Sequence, residues 1–289
     1  MKDHIIKATA DGIRAFATVT TELVEEARQR HNCSPLAIAA LGRTMTGALL
    51  LAANLKTDES LTVRVSGNGP LKEVVADALA NGEVRGYVKN PYIDLPLNNG
   101  KLAVGDGVGE GHIYVTRFTN LKQPFTGSTE LVSGEIAEDL TNYLMNSEQT
   151  PSSVGLGVLV GTDYKILAAG GFLIQALPDV EESAIIALEK NLKTLPPISQ
   201  LINEGKDGAG IIAEIFKGMK VNYYDTTPVC FKCQCNKEKI EKVLISLGES
   251  ELEHLISEGK AEVKCHFCSD SYNLNKAELE RLMIEAKTK

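Results

Sequence analysis

The chain has 289 residues, 38 acidic against 30 basic side chains, a formal net charge of −8 and six cysteines. At the usual ~100–200 residues per domain that length supplies one large core plus a smaller unit, so no disulfide framework is needed throughout. The acidic balance, with no block of like charge, argues against nucleic acid or anionic membrane as a partner and for protein or small-molecule partners.

The opening residues 1–7 contain no apolar core of signal-peptide length. Residues 36–55 are the best membrane-span candidate, but Gly42, Arg43, Thr44 and Asn54 interrupt them and a buried helix is expected. A cytoplasmic, reducing setting follows, in which paired cysteines serve metal or redox chemistry.

In chain order, residues 15–21 alternate and are rich in β-formers, and 22–30 are charged and helical. Ser34-Pro35 supplies a cap and first-turn proline for a helix reaching about residue 55. Leu61-Thr62-Val63-Arg64-Val65 predicts a strand by alternation, and Gly67-Asn68-Gly69-Pro70 a turn. Further strands are expected over 74–78, 84–88, 112–118 and 127–131, then a helix over 135–147 and strands over 155–160 and 169–177. Gly105, Gly107, Gly109 and Gly111 fall at every second position, which fits no phosphate-loop spacing, so a hairpin connection is expected there. Hairpins enclosing a few helices make residues 1–178 an α+β domain, not an alternating βαβ chain.

From Pro178 the texture changes. Residues 180–194 are helical, with Ile185, Leu188 and Leu192 on one stripe, Glu189 and Lys193 as an i,i+4 pair, and Pro196-Pro197 as the stop. Two short helical pieces, 198–203 and 209–216, sit among Gly205, Gly208 and Gly210; such pieces are marginal unless another surface packs on them. Residues 179–225 therefore read as a docked linker of low intrinsic stability.

Residues 226–289 form a cysteine module, with helices expected over 237–247 and 276–287 and a strand over 261–264. Cys233-Gln234-Cys235 and Cys265-His266-Phe267-Cys268 are two tight pairs separated by 29 residues, enough for a helix and a hairpin to bring them together. Four thiolates complete a closed tetrahedral shell for one Zn²⁺, which prefers soft sulfur ligands. Neighbouring thiols at this spacing also reach the about 4.4–6.8 Å Cα separation of a disulfide, so the pairs suit a redox device as well. Cys230-Phe231-Lys232-Cys233 is itself a C-x-x-C, and a ribbon using Cys230 and Cys233 while sparing Cys235 fits the spacing too. Lys232, Lys237 and Lys239 are expected to lower the thiol pKa values of the first pair. His266 reads as a solvated residue of the knuckle turn and Cys33, ahead of a helix cap, as a bystander thiol.

The histidines are dispersed, and neither H-E-x-x-H nor G-x-S-x-G occurs, so no catalytic centre and no enzyme activity are expected. A zinc-ribbon nucleic-acid binder would need a basic face, yet residues 226–289 carry 10 Lys+Arg against 11 Asp+Glu. A thiol oxidoreductase would use Cys230 and Cys233, but no thioredoxin-like βαβ pattern surrounds them.

The segment Phe231-Lys232-Cys233-Gln234-Cys235-Asn236-Lys237-Glu238-Lys239, with Cys265-His266-Phe267-Cys268, resembles the redox-switch domain of the 33 kDa chaperonin family of bacterial redox-regulated heat-shock chaperones. Three more segments match in order: Ser66-Gly67-Asn68-Gly69-Pro70-Leu71, Tyr143-Leu144-Met145-Asn146-Ser147-Glu148-Gln149-Thr150-Pro151, and Ala168-Ala169-Gly170-Gly171-Phe172-Leu173-Ile174-Gln175. The resemblance covers essentially the whole chain. It implies a three-layer sheet/helix/sheet amino-terminal domain, a helical linker and a small zinc-binding domain. It implies Zn²⁺ on Cys233, Cys235, Cys265 and Cys268 in the reduced state, one ion per chain, and disulfides Cys233–Cys235 and Cys265–Cys268 after oxidation. Cys230 departs from the family pattern. The implied activity is that of an ATP-independent holdase of the stress response that binds unfolded or partly unfolded client proteins, with a homodimer on activation.

Zinc binding is folding free energy for so small a module, on the order of 10 kcal/mol in apparent terms, so its loss should unfold the module and then the marginal linker. The apolar residues Ile185, Leu188, Leu192, Ile211, Ile212, Ile215 and Phe216 would then become available to clients.

Overall fold

A computed structural model describes residues 2–119, 123–178 and 180–287. Contacts divide the chain into two units, Met1–Lys232 and Cys233–Lys289.

The first unit opens with β1 (His4–Ala10) and β2 (Ile13–Val19), joined through Asp11 and Gly12 at φ 46° and 80°. Two residues at positive φ suit a tight hairpin between twisted strands. After α1 (Thr21–His31), the Ser34 hydroxyl accepts from the Ala37 N–H at 3.2 Å and Pro35 takes the first turn of α2 (Pro35–Ala52). The cap and proline do what the sequence predicts, and the helix stops at Ala52, ahead of residue 55.

There follow β3 (Ser60–Gly67), β4 (Glu73–Leu79), β5 (Glu83–Val88), a one-turn α3 (Val104–Val108), β6 (Gly111–Phe118), β7 (Phe125–Glu130), α4 (Ala137–Asn146), β8 (Ser152–Val160) and β9 (Ile166–Ala176). Then come α5 (Glu182–Lys193), α6 (Ile198–Asn203), α7 (Gly208–Ile215), β10 (Asn222–Pro228) and β11 (Cys230–Phe231). The strands make a five-stranded sheet, β10-β1-β2-β9-β8, and a six-stranded sheet, β11-β5-β4-β3-β6-β7. Among the described residues the β11–β5 pairing is the only parallel one; the others in these sheets are antiparallel, hairpin neighbours such as β1–β2 and strands distant in the chain such as β2–β9 alike.

Helix α2 lies between these sheets, touching β3, β4 and β5 on one side and β8 and β9 on the other. Covered on both sides, it is apolar nearly all round. It is long and apolar enough to cross a membrane, but 89% of that window is buried inside the protein. The result is the sheet/helix/sheet α+β layering expected from the resemblance.

The glycine run is not a hairpin connection. Gly105 and Gly107 lie in α3, which closes back on the turn after β3: the Gly69 N–H donates to the Val108 carbonyl at 2.9 Å. A Cβ on Gly109 would stand 2.3 Å from Asn68 Oδ1, so the spacing reflects close backbone approach.

Helices α6 and α7 pack on the five-stranded sheet, α6 against β9 and β8 and α7 against β2 and β1. Ile211, Ile212, Ile215 and Phe216 are essentially inaccessible, Leu188 is buried, and Ile185 and Leu192 pack against the same cluster. All seven apolar residues singled out along the linker thus share one core with Ile6, Ile13 and Phe172 of the sheet.

The second unit contains α8 (Lys237–Ser246), α9 (Glu249–Glu258), the hairpin β12 (Lys260–Lys264) and β13 (Ser271–Asn275), and α10 (Lys276–Lys287). Its core is a small cluster centred on Leu244, Leu252, Leu274, Leu279 and Leu282. So small a core stabilises a fold only marginally without a staple. Helix α9 is additional to the single helix and hairpin foreseen between the cysteine pairs.

Candidate metal centre

The first cysteine pair runs straight into α8. Asn236 caps that helix, its Oδ1 accepting from the Lys239 N–H at 2.9 Å, and Lys239 Nζ donates to the Gln234 carbonyl at 2.8 Å. These contacts tie the first cysteine pair to the first turn of α8. The second pair lies in the turn between β12 and β13: the Cys265 N–H donates to the Asp270 carbonyl at 2.9 Å and the Ser269 N–H to the Cys265 carbonyl at 2.8 Å. Ser269 sits at φ 60°, the left-handed conformation that lets so short a turn fold back on itself.

Together these segments bring the sulfurs of Cys233, Cys235, Cys265 and Cys268 within 4.8 Å of one another. Cys233 and Cys265 lie 3.8 Å apart, Cys235 and Cys268 3.3 Å apart. A zinc–sulfur bond of about 2.3 Å corresponds to a sulfur–sulfur edge of about 3.8 Å in a regular tetrahedron, so the group is of the right size for one metal ion. Cys268 is buried and the other three are half-buried, which shields such a site from bulk water. When bound, the metal would close the shell and cross-link the start of α8 to the β12–β13 turn.

Tyr272, on β13, donates its hydroxyl to Cys235 Sγ at 3.1 Å. Sequence reasoning overlooked it. The available signal was position: it lies in the strand leaving the second cysteine pair, and a hydroxyl donor beside a thiolate orients and stabilises a ligand.

The expectation that lysines lower the thiol pKa values is not met. Burial foremost raises Cys235 and Cys268 above the ordinary thiol range, and also Cys230, where the Glu83 carboxylate adds to it. The lysines are otherwise engaged: Lys232 pairs with Glu83, Lys237 with Glu278, and Lys239 with a carbonyl.

Cys230 is exposed, lies on β11 in the first unit and is absent from the four-sulfur group, as is His266. Cys33 is buried beside Arg28, and burial pushes its thiol up to about 12, so it is inert.

A sheet/helix/sheet unit followed by a small four-thiol module defines an α+β protein with an appendage whose cysteines could hold a metal ion. The Hsp33 protein family model matches residues 3–275. The chain is 49% identical to the 33 kDa chaperonin of Desulforamulus reducens and 50% identical to that of Shouchella clausii, covering 100% of each chain in both comparisons. Among solved structures it is similar to the 33 kDa chaperonin of Thermotoga maritima, with a TM-score of 0.92, 39% identity and 99% of each chain covered. The chain belongs to the Hsp33, or 33 kDa chaperonin, family, a family of chaperones.

Proposed function

We propose that this chain is a cytoplasmic, redox-regulated, ATP-independent holdase whose second unit is the switch. The observation that carries the reading is the four-sulfur group itself, the right size for one ion and set in a unit with too small a core to be stable alone. In the reduced state Cys233, Cys235, Cys265 and Cys268 hold one Zn²⁺ as thiolates.

One hydrogen peroxide per pair takes two electrons from two thiolates, one sulfur–sulfur bond forms in each pair, and each peroxide becomes two waters with two protons drawn from solvent; the disulfide sulfurs no longer hold the ion. Cys233–Cys235 and Cys265–Cys268 are the pairs proposed. All four sulfurs are close while the module is folded, so geometry there does not select a pairing. Once the module unfolds, the C-x-C and C-x-x-C partners remain within a few residues of each other, and their short loops close at the least entropic cost.

Loss of the module's fold begins at Cys233, one residue beyond β11. That two-residue strand is held by the Cys230 N–H to the Gly82 carbonyl at 3.1 Å and the Lys232 N–H to the Val84 carbonyl at 2.8 Å. Its release frees the edge strand β10 and then the linker of residues 179–225, uncovering Ile185, Leu188, Leu192, Ile211, Ile212, Ile215 and Phe216 for clients. The domains proposed are thus a core at 1–178, the linker at 179–225 and the switch at 226–289, with a homodimer forming in the oxidised state.

The test is suppression of aggregation of a thermally unfolding client by reduced, zinc-loaded and by oxidised protein, without ATP. Suppression only by the oxidised form, reversed by reductant with zinc, is the expected result; equal suppression by both forms sinks the switch.

A further inference from the structure

Helix α7 begins against a histidine from the other end of the chain. The Gly208 N–H donates to His4 Nε2 at 3.1 Å, and His4 Nδ1 lies 2.9 Å from the Lys2 carbonyl oxygen. A carbonyl oxygen only accepts, so Nδ1 carries the proton, Nε2 presents a lone pair and the ring is neutral. The ring fits closely: a Cβ on Gly208 would stand 3.0 Å from Nε2 and 2.8 Å from Ile6 Cγ2. Of the unpaired amides in the first turn of α7, Gly210 is satisfied by Asp207 Oδ1 at 2.8 Å and Gly208 by His4.

The backbone of His4 is fixed. Its carbonyl accepts from Thr18 Oγ1 at 2.8 Å, and its register partners are Val19 on β2 and Pro228 on β10. Neither partner ionises. The ionisable groups nearest in sequence to the ring and to the start of α7 are Lys2 and Asp3 on its own segment and Lys206 and Asp207 ahead of α7; Glu22, at the start of α1, donates its N–H to Asp3 Oδ1 at 3.1 Å. Lys206 is paired with Glu214 at 2.7 Å and Asp207 serves as the cap.

We propose that His4 is the positioning residue for linker helix α7, and that its protonation in mild acid releases the first turn of that helix while the cysteines keep their metal. An imidazolium has a proton at both nitrogens, so Nε2–H would face Gly208 N–H, and a positive charge would sit at the positive end of the helix dipole. Asp3 is the carboxylate that would attract the imidazolium. Burial raises Asp3 to about 6, so that negative charge is lost as the pH falls through this value.

Global stability is not the readout. A carboxyl whose folded pKa is raised favours the folded state as pH falls, because the buried anion is relieved, and this opposes any loss at His4. The local state of α7 is the quantity to follow. Its release at the ring does not depend on the holdase reading; client capture as the consequence rests on that reading.

The experiment uses the full-length, reduced, zinc-loaded protein from about pH 7.5 to about pH 5.5. Amide exchange over residues 208–215, corrected for intrinsic rates, is measured beside the ¹⁵N shifts of the His4 ring and the zinc content. Wild type is expected to lose about tenfold protection on acidification at constant zinc, whereas His4→Gln, with an uncharged acceptor, stays flat. Gly208→Ala, which displaces the ring, should show reduced protection already at neutral pH and no further response. A matching pH response in His4→Gln and wild type, a proton found on Nε2 at neutral pH, or loss of protection that tracks zinc release overturns the assignment. Release of α7 in acid without client capture leaves the assignment standing and counts against the linker reading instead.

Discussion

Cys235 and Cys268 are 33 residues apart in the chain, yet their sulfurs lie 3.3 Å apart. The pair bridges the start of α8 and the β12–β13 turn, so the metal-binding group and the fold of the second unit are one structure. Removing any of the four thiolates should cost both the ion and the fold.

One Zn²⁺ per chain is expected in the reduced protein, lost in Cys235→Ser and retained in Cys230→Ser, because Cys230 lies outside the four-sulfur group. Elemental analysis after gel filtration measures this. Zinc kept by Cys235→Ser and lost by Cys230→Ser would transfer the ligand role to Cys230. Chelation should also abolish the helical circular dichroism of α8–α10, since on the order of 10 kcal/mol of apparent binding energy goes with the ion.

Tyr272→Phe removes the hydroxyl that donates to Cys235 Sγ at 3.1 Å while keeping the ring. Outer-shell changes of this kind typically cost about 10–100-fold in metal affinity. Competition with a chromophoric chelator should show a loss in that range with an unchanged stoichiometry. Wild-type affinity would mean the hydroxyl serves packing alone.

Ile215→Asp places a carboxylate where the side chain is completely buried beneath α7, at a cost of a few kcal/mol. This variant is expected to bind clients while still reduced and zinc-loaded, with faster exchange across residues 180–218. Asn191→Ala is a milder companion: Asn191 Nδ2 donates to the Ile215 and Lys217 carbonyls at 3.0 and 2.9 Å, tying α5 to the end of α7. Wild-type exchange and a silent reduced protein in both variants would mean that the linker is not the element being switched.

Glu25 accepts from Arg28 Nη2 at 2.7 Å, from Gln29 Nε2 at 2.8 Å and from the Ile166 N–H at 3.1 Å, where β9 begins. Arg28 foremost holds this carboxyl down at about 2, against an ordinary value of 4.5. A depressed carboxyl contributes stability that is present above the unfolded pKa and lost as pH falls through the folded one, here from about 4.5 to about 2. After solvent screening the contribution is on the order of 1–2 kcal/mol. Glu25→Gln should lower Tm by a few degrees near neutrality and flatten the acid limb of Tm against pH; an unchanged limb would assign the acid sensitivity elsewhere.

Much of this molecule is legible from local pattern. Alternation marks β3, Ser34-Pro35 marks the start of α2, and the linker helix α6 spans the short helical piece expected between Pro197 and Gly205. The metal group is legible because ligand spacing is a local property: C-x-C and C-x-x-C put two sulfurs within reach of one ion whatever surrounds them. The resemblance extends this to the family, since the Ser147-Glu148-Gln149-Thr150-Pro151 segment and the cysteine pairs occur together in order.

What the sequence leaves open is decided by contacts between distant residues. Strand β10 is largely exposed and does not alternate, and β11 is two residues long; each exists because a partner is supplied, His4 against Pro228 and Val84 against Phe231. The choice between Cys230 and Cys235 in the four-sulfur group was open for the same reason, as both spacings suit a metal but only one cysteine is carried off on a strand of the first unit. Tyr272 on Cys235 and His4 under α7 are likewise products of folding, joining residues 37 and 204 apart. Periodicity and ligand spacing are set by covalent geometry within a few residues, whereas strand partners, charge pairing and burial depend on which distant surfaces meet, and that is fixed only when the whole core closes.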